Sequence, residues 1–399
     1  MASKDGYYLG IDIGSSKIAA VICDIDANAQ INLKGLGSSL TSGLVRGKID
    51  DMDSLKSAIE RAIKRAERTA EIRPKRAMIA IPSYRLEFVH SFGSLKLKEE
   101  TSQVCEEDKA ECIKRAKNMV PTHQKTILHV VPLTYKIDGQ VAADPIGQQG
   151  RILEVETLIV LVDHDFIQQL THVLHGLGLH ISGLVYDLLA SGQILVTEEE
   201  KNYHSLILDI GGKFTKVGVF RHGLLEHSCV LPLGGDSFTA DLAYCLKTSW
   251  QEAERIKLNH GTTALAALDP TETVTVMNKE GVEEQVKLRL IGQILQARAL
   301  EIIQLIKKEL NPKSYDIQRS ILTGRGTLLH GMSHLVHTHF KAPVRLGYPE
   351  NIKPIVDQIE YASAVGGILF GLRSKAILPQ GKSKYKVSTL LNKWMRDFF

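Results

Sequence analysis

Two segments with the same layout, one at the start of the chain and one near its middle, restrict the fold more than any other feature. They are YYLGIDIGSSKIAAVI, from Tyr7 to Ile22, and LILDIGGKFTKVGVF, from Leu206 to Phe220. Each contains an apolar run, an aspartate, a glycine-rich turn and a second apolar run, which is the pattern of a β-hairpin. Their similarity predicts two halves of related fold.

The turns of these hairpins predict a binding site for phosphate groups. Glycine-rich turns bring backbone N–H groups close to an anion, so two facing turns could clasp a polyphosphate. Asp12 and Asp209, which precede the turns, would hold Mg²⁺ through its water molecules. In a third turn, SILTGRGTLLHGM, Gly324 and Gly326 would allow a nucleoside or its α-phosphate to approach a helix N-terminus.

The positive charge of the chain is concentrated at its C-terminus. The 399 residues include 49 basic and 45 acidic side chains, for a net charge of +4. Seven of the basic residues and one acidic residue lie between Arg373 and Phe399, which leaves 42 basic and 44 acidic residues elsewhere. This nearly neutral body argues against general nucleic-acid binding, and we expect no nucleic-acid partner.

The segment VSTLLNKWMRDFF, residues 387–399, has the spacing of an amphipathic helix. Lys393 and Arg396 belong to its polar face. A basic linker at 374–386 precedes it, so we expect the helix to bind an anionic membrane surface. Packing on the protein's own core is the alternative. The apolar face consists of Val387, Leu390, Leu391, Trp394, Met395 and Phe398.

The cysteines and the start of the sequence predict a reduced cytosolic compartment. The five cysteines are scattered without C-x-x-C spacing, and no signal peptide precedes the first apolar strand. No apolar run approaches the roughly 18 residues that a membrane-spanning helix needs.

The order of these motifs resembles the actin-like ATPase superfamily, and the segment after the first half narrows the resemblance. ILHVVPLTYKIDG, followed by DPIG and RILEVE, is similar to the FtsA family of bacterial cell-division proteins. The resemblance implies an α/β fold with two actin-like (ribonuclease H-like) halves, a nucleotide cleft between them and a mixed five-stranded sheet in each. It also implies an FtsA-type α+β insert and a C-terminal amphipathic helix.

The same resemblance suggests the domain boundaries. The first half would comprise 1–83, 163–190 and part of 355–373, with the insert at 84–162. The second half would comprise 191–245 and 320–354, with a small subdomain at 246–319. The linker at 374–386 and the helix at 387–399 would follow.

By this resemblance the cofactors are ATP and Mg²⁺, and the site residues follow from the matching motifs. Glu254 and Lys257 would flank the adenine and ribose. Asp187 stands where related hydrolases orient the attacking water, and is the candidate catalytic residue. The two phosphate motifs and the adenosine motif would be Asp12, Gly14, Ser15, Ser16 and Lys17; Asp209, Gly211, Gly212, Lys213 and Thr215; and Gly324, Arg325 and Gly326.

Three basic residues depart from the family pattern. Lys213 replaces a glycine, Lys216 an acidic residue, and Arg325 a common glycine. Lys213 and Arg325 could add charge-assisted contacts to phosphates or could simply face solvent. Lys216 lies in the returning strand, where we expect its side chain to face solvent. These departures, and the short carboxylate of Asp187, predict that binding matters more than catalysis, with at most weak ATPase activity.

The FtsA resemblance also implies partners and location. It predicts a scaffold that forms filaments on the cytoplasmic face of the inner membrane at the division site, and that binds the FtsZ C-terminal peptide and downstream division proteins. Arg298 and Lys307 are candidate contacts to that peptide. The alternatives are a pilus-assembly scaffold like PilM and a small-molecule kinase of the same superfamily, for which Asp187 is the candidate catalytic aspartate.

Overall fold

The computed structural model describes residues 6–26, 30–45, 47–82, 84, 86–97, 103–311, 315–349, 352–353 and 359–373. The predicted linker at 374–386 and the predicted membrane helix at 387–399 lie outside the described residues. In the part of the chain that is described, no helix is both long and apolar enough to cross a bilayer.

The first half is built on a sheet that contains the first hairpin. Its elements before the insert are β1 (Tyr8–Ile13), β2 (Lys17–Ile25), β3 (Ile31–Leu40), β4 (Leu44–Val45), β5 (Lys48–Ile49), α1 (Met52–Ala70) and β6 (Arg76–Ile81). Helix α1 begins at Asp51, whose side chain accepts hydrogen bonds from the backbone N–H groups of Asp53 and Ser54. Its apolar stripe, which includes Leu55, Ile59 and Ala62, is buried against the sheet.

The insert is a four-stranded antiparallel sheet with one helix on it. It consists of β7 (Leu86–Lys96), α2 (Glu106–Asn118), β8 (Lys125–Ile137), β9 (Gln140–Ala142) and β10 (Ile152–Asp163). The strand order is β7-β10-β8-β9. Cys112 and Ala116 of α2 are buried in a core with Leu153 and Val155 of β10. This segment is therefore α+β, as its sequence predicts.

The remaining chain completes the first half and forms the second. Its elements are α3 (His164–His175), β11 (His180–Tyr186), α4 (Asp187–Leu195), β12 (Ser205–Ile210), β13 (Thr215–Arg221), β14 (Leu224–Leu231), α5 (Gly235–Cys245), α6 (Trp250–His260), β15 (Thr273–Met277), β16 (Glu283–Lys287), α7 (Leu288–Leu310), β17 (Arg319–Thr323), α8 (Met332–Phe340), β18 (Val344–Leu346), β19 (Ile352–Lys353) and α9 (Ala362–Arg373). 3-10 turns lie at Glu200–Asn202, Leu265–Ala267, Arg325–Leu328 and Ile359–Tyr361.

The two main sheets have related topologies. The first has the order β11-β6-β1-β2-β3-β19 and the second the order β14-β13-β12-β17-β18. In both, a central strand pairs antiparallel with its hairpin partner and parallel with a later strand, β1 with β6 and β12 with β17. The prediction of five strands per sheet is correct for the second sheet. It is wrong for the first, because two residues of β19 pair with β3 at its edge.

Helices α4 and α9 connect the two halves. They pack on each other, and one buried cluster contains residues from both sheets and both helices. Val21 of β2 and Ile207 of β12 belong to this cluster, together with Leu188 of α4 and Val365 of α9. Burial of this shared apolar surface holds the two halves together, with the hairpin turns facing one another.

Candidate functional site

A cleft of about 660 Å³ lies between the two hairpin turns and is closed on one side by the third turn. All of the predicted nucleotide-binding and catalytic residues line it except Lys213 and Thr215. The cleft therefore brings together segments from both halves of the chain. The predicted residues that line it are Asp12, Gly14, Ser15, Ser16, Lys17, Asp187, Asp209, Gly211, Gly212, Glu254, Lys257, Gly324, Arg325 and Gly326.

The two hairpin turns have the same local geometry and touch across the cleft. Each is closed by a backbone hydrogen bond, from Gly14 N–H to the Lys17 carbonyl at 3.0 Å and from Gly211 N–H to the Phe214 carbonyl at 2.9 Å. A Cβ atom added at Gly212 would lie 2.2 Å from Ser16 Oγ of the other hairpin. Only glycine permits this approach, which fixes the separation of the two turns.

The third turn closes against the end of β12. Gly324 has a φ of +81°, in the left-handed region, and an added Cβ would lie 2.3 Å from Asp209 Oδ1. Glycine therefore meets a conformational and a steric requirement at this position. Arg325 follows with a largely exposed side chain, and its Nε lies 3.9 Å from Glu360 Oε2.

The floor of the cleft contains a lysine that forms ion pairs with two aspartates. Lys216 Nζ lies 2.6 Å from Asp209 Oδ2 and 2.7 Å from Asp187 Oδ2. The side chain of Asp187 is 0% exposed and that of Lys216 is 14% exposed. The expectation that Lys216 faces solvent is wrong. Lys216 is directly opposite Asp209 in the hairpin register, and opposite residues project from the same face of a sheet.

Burial and mutual charge perturb the floor groups. Desolvation raises the pKa of Asp187, and Lys216 opposes that rise. For Lys216, burial alone would lower the pKa, but Asp187, Asp209 and Asp12 hold it well above its ordinary value. Desolvation also raises the pKa of Asp12; Lys216 counteracts this, while Asp187 and Asp209 add to it. The cluster thus contains a charged ammonium beside Asp12 and Asp187, the two carboxyls that burial makes harder to ionise.

Two buried polar atoms of the first hairpin have no hydrogen-bond partner in the described part of the chain. They are Asp12 Oδ1 and Ser16 Oγ, and both residues line the cleft. Buried polar atoms in proteins nearly always have partners, so these two indicate a place for a ligand or its water. A serine hydroxyl and the glycine-rich turns beside it suit a phosphate group.

The same residues suit Mg²⁺ less well. The expected metal site used Asp12 and Asp209, but one oxygen of Asp209 is already in contact with the Lys216 ammonium. Within the described ranges, no group of three or more His, Cys, Asp or Glu side chains could hold a metal ion. Magnesium requires near-octahedral oxygen coordination at about 2.0–2.1 Å, which a neighbouring ammonium opposes. The Mg²⁺ site stays a prediction that this geometry does not favour.

Lys213 and Thr215 are predicted site residues that do not line the cleft, although exposure of Lys213 to solvent is one of its two expected alternatives. Lys213 is exposed at the tip of the second turn. The Thr215 hydroxyl is buried and donates to the Leu233 carbonyl at 2.8 Å, so it stabilises the strand rather than facing a ligand. Between them, Phe214 packs against Tyr84 with ring centroids 4.5 Å apart. This contact docks the turn on the first half.

The rim of the cleft contains further ion pairs. Lys17 forms a salt bridge with Glu360, which lies in the 3-10 turn before α9. Lys257 Nζ lies 2.7 Å from Glu254 Oε2 and donates to the Gly235 carbonyl at 3.0 Å. Hydrogen bonds from Lys257 and from the hydroxyl of Thr239 outweigh burial and hold the pKa of Glu254 below its usual range. The predicted cationic contacts thus already have acidic partners.

Sequence reasoning missed several lining residues. Lys216 could have been found, because a four-residue turn places it opposite Asp209. Asp236, at the start of α5, and Glu360 also line the cleft, but neither belongs to a sequence motif that would predict it. His330, which precedes α8, also lines it and is within 2.8 Å of Thr262 Oγ1 through its Nδ1.

The two candidate partner contacts lie on α7. Arg298 is paired with Asp241 through two contacts, Nε to Oδ2 at 2.6 Å and Nη2 to Oδ1 at 2.8 Å, and also with Glu301. Lys307 is exposed and donates to the His339 carbonyl at 3.4 Å. Arg298 therefore forms ion pairs within the chain, whereas Lys307 has only a long hydrogen bond to a carbonyl among its contacts with the described residues.

Comparisons with known proteins agree with this architecture. Residues 206–366 match the family described as Cell division protein FtsA, and residues 83–161 match the SHS2 domain inserted in FTSA. Together these matches cover more than half of the chain. Proteins named Cell division protein FtsA are 27% identical in Pseudomonas aeruginosa, over 92% of this chain and 90% of that protein, and 29% identical in Neisseria meningitidis, over 95% and 94%.

Solved structures show the fold at lower identity. The PilM–PilN type IV pilus biogenesis complex has a chain that superposes with a TM-score of 0.68 at 18% identity, over 93% of this chain and 99% of that chain. MreB5 of Spiroplasma citri bound to ADP superposes with a TM-score of 0.52 at 13% identity, over 93% and 98%. These likenesses confirm the predicted actin-like α/β fold.

Proposed function

The chain belongs to the FtsA family of cell-division proteins, and on that premise we propose that it is an ATP-binding scaffold that forms filaments on a membrane and anchors FtsZ there. The cleft between the two hairpin turns carries the proposal. It combines glycine-rich backbone with the unpartnered Ser16 hydroxyl, which suits a polyphosphate. Adenine nucleotide is the suggested ligand, since MreB5, which shares this fold, binds ADP.

At most weak ATPase activity is expected of this cleft. A residue that positions the attacking water must present a free acceptor to it. Asp187 Oδ1 has no partner among the described residues, but the carboxylate is fully buried and the Lys216 ammonium, 2.7 Å from its Oδ2, lowers its affinity for a proton. The same pairing weakens the case for a small-molecule kinase, in which Asp187 would be the base. We therefore propose that the chain uses nucleotide to control assembly rather than to drive turnover.

Membrane attachment is proposed to reside in residues 387–399. The sequence pattern supports it, because Trp, Leu, Met and Phe side chains share one face and basic side chains flank them. Each basic residue near an anionic surface contributes about 1 kcal/mol, so one helix binds reversibly. A filament that presents many helices would hold much more tightly through effective concentration. The proposed site of action is the cytoplasmic face of the inner membrane at the division site.

The first experiment is co-sedimentation of the full chain with vesicles that contain anionic phospholipid, with and without ATP, followed by electron microscopy. We expect ATP-dependent filaments on the lipid. A chain that ends at residue 386 should retain ATP binding and lose pelleting. Sedimentation of that shortened chain with vesicles would contradict the proposed anchor.

Charge insertion offers a matched test within the helix. Trp394→Glu places a carboxylate on the apolar face, and Asn392→Glu places the same group on the polar face. We expect only Trp394→Glu to abolish pelleting, because burying a charge in the apolar boundary is costly. Equal losses for both variants would indicate that general charge, rather than the apolar face, determines binding. If wild-type protein bound no lipid, a pilus scaffold like PilM would become the better hypothesis.

FtsZ binding is proposed to involve α7, whose basic side chains could meet an acidic peptide. Lys307→Glu should weaken binding of the FtsZ C-terminal peptide, measured by fluorescence anisotropy. Lys308→Glu is the control, because it reverses a neighbouring exposed charge. Arg298→Glu breaks the Asp241 ion pair as well, so its thermal stability must be measured alongside. Unchanged peptide affinity in both Lys307→Glu and Arg298→Glu would remove this surface.

A further inference from the structure

One of the differences between the two hairpins places a charge at the cleft. In the first hairpin, Ala19 lies opposite Asp12, and Asp12 Oδ1 has no partner among the described residues. In the second, Lys216 lies opposite Asp209. The related folds of the two halves thus place an alanine methyl in one half where the other half has an ammonium group.

The Lys216 ammonium occupies the centre of the charged floor. It contacts Asp209 at 2.6 Å and Asp187 at 2.7 Å, and Asp12 acts on it electrostatically. Its stem is enclosed, with 14% of the side chain exposed. An ammonium has three N–H donors, and the two aspartate contacts leave one for an oxygen of a bound ligand.

We propose that the Lys216 ammonium takes the place of a divalent cation in this cleft, so that the chain binds a nucleoside triphosphate in its metal-free form. The inference rests on the proposed nucleotide function and specifies the form of the ligand. Lys216 supplies a fixed positive charge between the aspartates and the phosphates, which is the electrostatic task of a metal ion at such a site. As a side chain, it is present whatever the metal concentration.

Steric and electrostatic arguments exclude a metal ion from sharing this position. A divalent ion at the position of Nζ would need the oxygens of Asp209 and Asp187 that already contact Nζ. Displacing Lys216 would place its charge in the enclosed floor without a partner, which is strongly unfavourable. Retaining it would put an ammonium beside a doubly charged ion at short distance, where repulsion is large.

The remaining phosphate charge can be met by other groups that line the cleft. Ser16 Oγ is a free hydroxyl, and the turns at Gly14 and Gly212 present backbone to the cleft. Lys17 and Lys257 line the rim, each beside a carboxylate. These contacts complete a binding site for an anion without a metal-bound water among them.

The test measures ATP binding to the full wild-type chain by isothermal titration calorimetry, in EDTA and in excess Mg²⁺ at matched ionic strength. We expect the two dissociation constants to agree within about twofold. Affinity weaker by about tenfold or more in EDTA would overturn the inference while leaving nucleotide binding intact. Absence of ATP binding in both buffers would overturn the proposed function, and the inference with it.

A variant and a metal probe provide a second test that does not depend on activity. Lys216→Met removes the ammonium and keeps an apolar stem, and Arg221→Met is the control because it removes an exposed cation from the same strand. Mn²⁺ alone, followed by electron paramagnetic resonance, should bind Lys216→Met and should bind neither wild type nor Arg221→Met. Tight Mn²⁺ binding to the wild-type chain would refute the inference. If Lys216→Met fails to fold, the two wild-type measurements still decide the question.

Discussion

Removal of the Lys216 charge should destabilise the folded chain by about 3–4 kcal/mol at pH 7, because it leaves buried carboxylates without a counter-charge. Asp187 is 0% exposed and Asp209 is 12% exposed at the side chain. Breaking a buried ion pair typically costs about 3–5 kcal/mol. Proton uptake by Asp187 limits the cost, because neutralising a carboxyl with an ordinary pKa near 4 at pH 7 requires about 4 kcal/mol.

The pH dependence of this cost provides a distinctive signature. In Lys216→Met the pKa of Asp187 should rise further, so the stability associated with its protonated form is present at low pH and lost as pH rises. We therefore expect the deficit to shrink to about 1–2 kcal/mol at pH 5. Lys216→Met combined with Asp187→Asn should recover much of the loss, since the fully buried charge is then absent.

Urea denaturation followed by far-UV circular dichroism, with EDTA and no nucleotide, would measure these differences. Equal slopes for wild type and variants would show that the same surface is exposed on unfolding. Arg221→Met, which removes an exposed cation of the same strand, should change stability by less than about 0.5 kcal/mol. A Lys216→Met deficit below about 1 kcal/mol at pH 7, or one that persists undiminished at pH 5, would refute the reasoning.

Three further predictions concern other contacts. Burial lowers the pKa of His129 to about 3, so its contribution to stability is present above pH 6.5 and is lost as the pH falls. Between pH 6.5 and 5 this group should lower the stability of the wild-type chain by about 1.4 kcal/mol per pH unit, and His129→Gln should abolish that loss. The melting temperature measured against pH checks this. Arg345 Nε and Nη2 contact the nearly buried Glu200 at 2.7 and 2.6 Å. Arg345→Met should lower the free energy of unfolding by about 2–4 kcal/mol, measured by urea denaturation. A smaller loss in the double variant Arg345→Met/Glu200→Gln than in Arg345→Met alone would confirm that the two side chains are coupled. Gly212→Ala would place a Cβ 2.2 Å from Ser16 Oγ. This variant should bind ATP at least about tenfold more weakly in calorimetry, with an unchanged circular dichroism spectrum. If the variant bound ATP as tightly as the wild-type chain, the two turns could separate freely.

Much of the fold could be predicted because its signals are local. An apolar run, an aspartate and a glycine-rich turn specify a hairpin within about fifteen residues, and the side-chain period of two then decides which face is buried. The same logic applies to Gly324, whose positive φ is a requirement of the turn itself. The extra edge pairing of β19 carries only two residues, too few to produce a periodic pattern.

The site was predictable to the extent that it lies in those turns. A turn motif gives the order of side chains but not their directions. It therefore cannot tell whether Lys213 faces the cleft or solvent, or that the Thr215 side chain is buried where Phe214 packs on Tyr84. The direction of Lys216 was available from the hairpin register, in which it pairs with Asp209. Its second partner, Asp187, starts a helix in another part of the chain, so hairpin geometry alone could not supply it.

The sequence by itself determined the two related hairpins, the third glycine-rich turn and the insert, since each follows from residues that are neighbours in the chain. Only the tertiary structure decided that Lys216 joins Asp187 to Asp209, and that Lys17 meets Glu360, 343 residues away in sequence. The physical reason is that such contacts depend on how α4 and α9 pack between the two sheets. That packing sets the distances between charges, and those distances determine which cation the cleft contains.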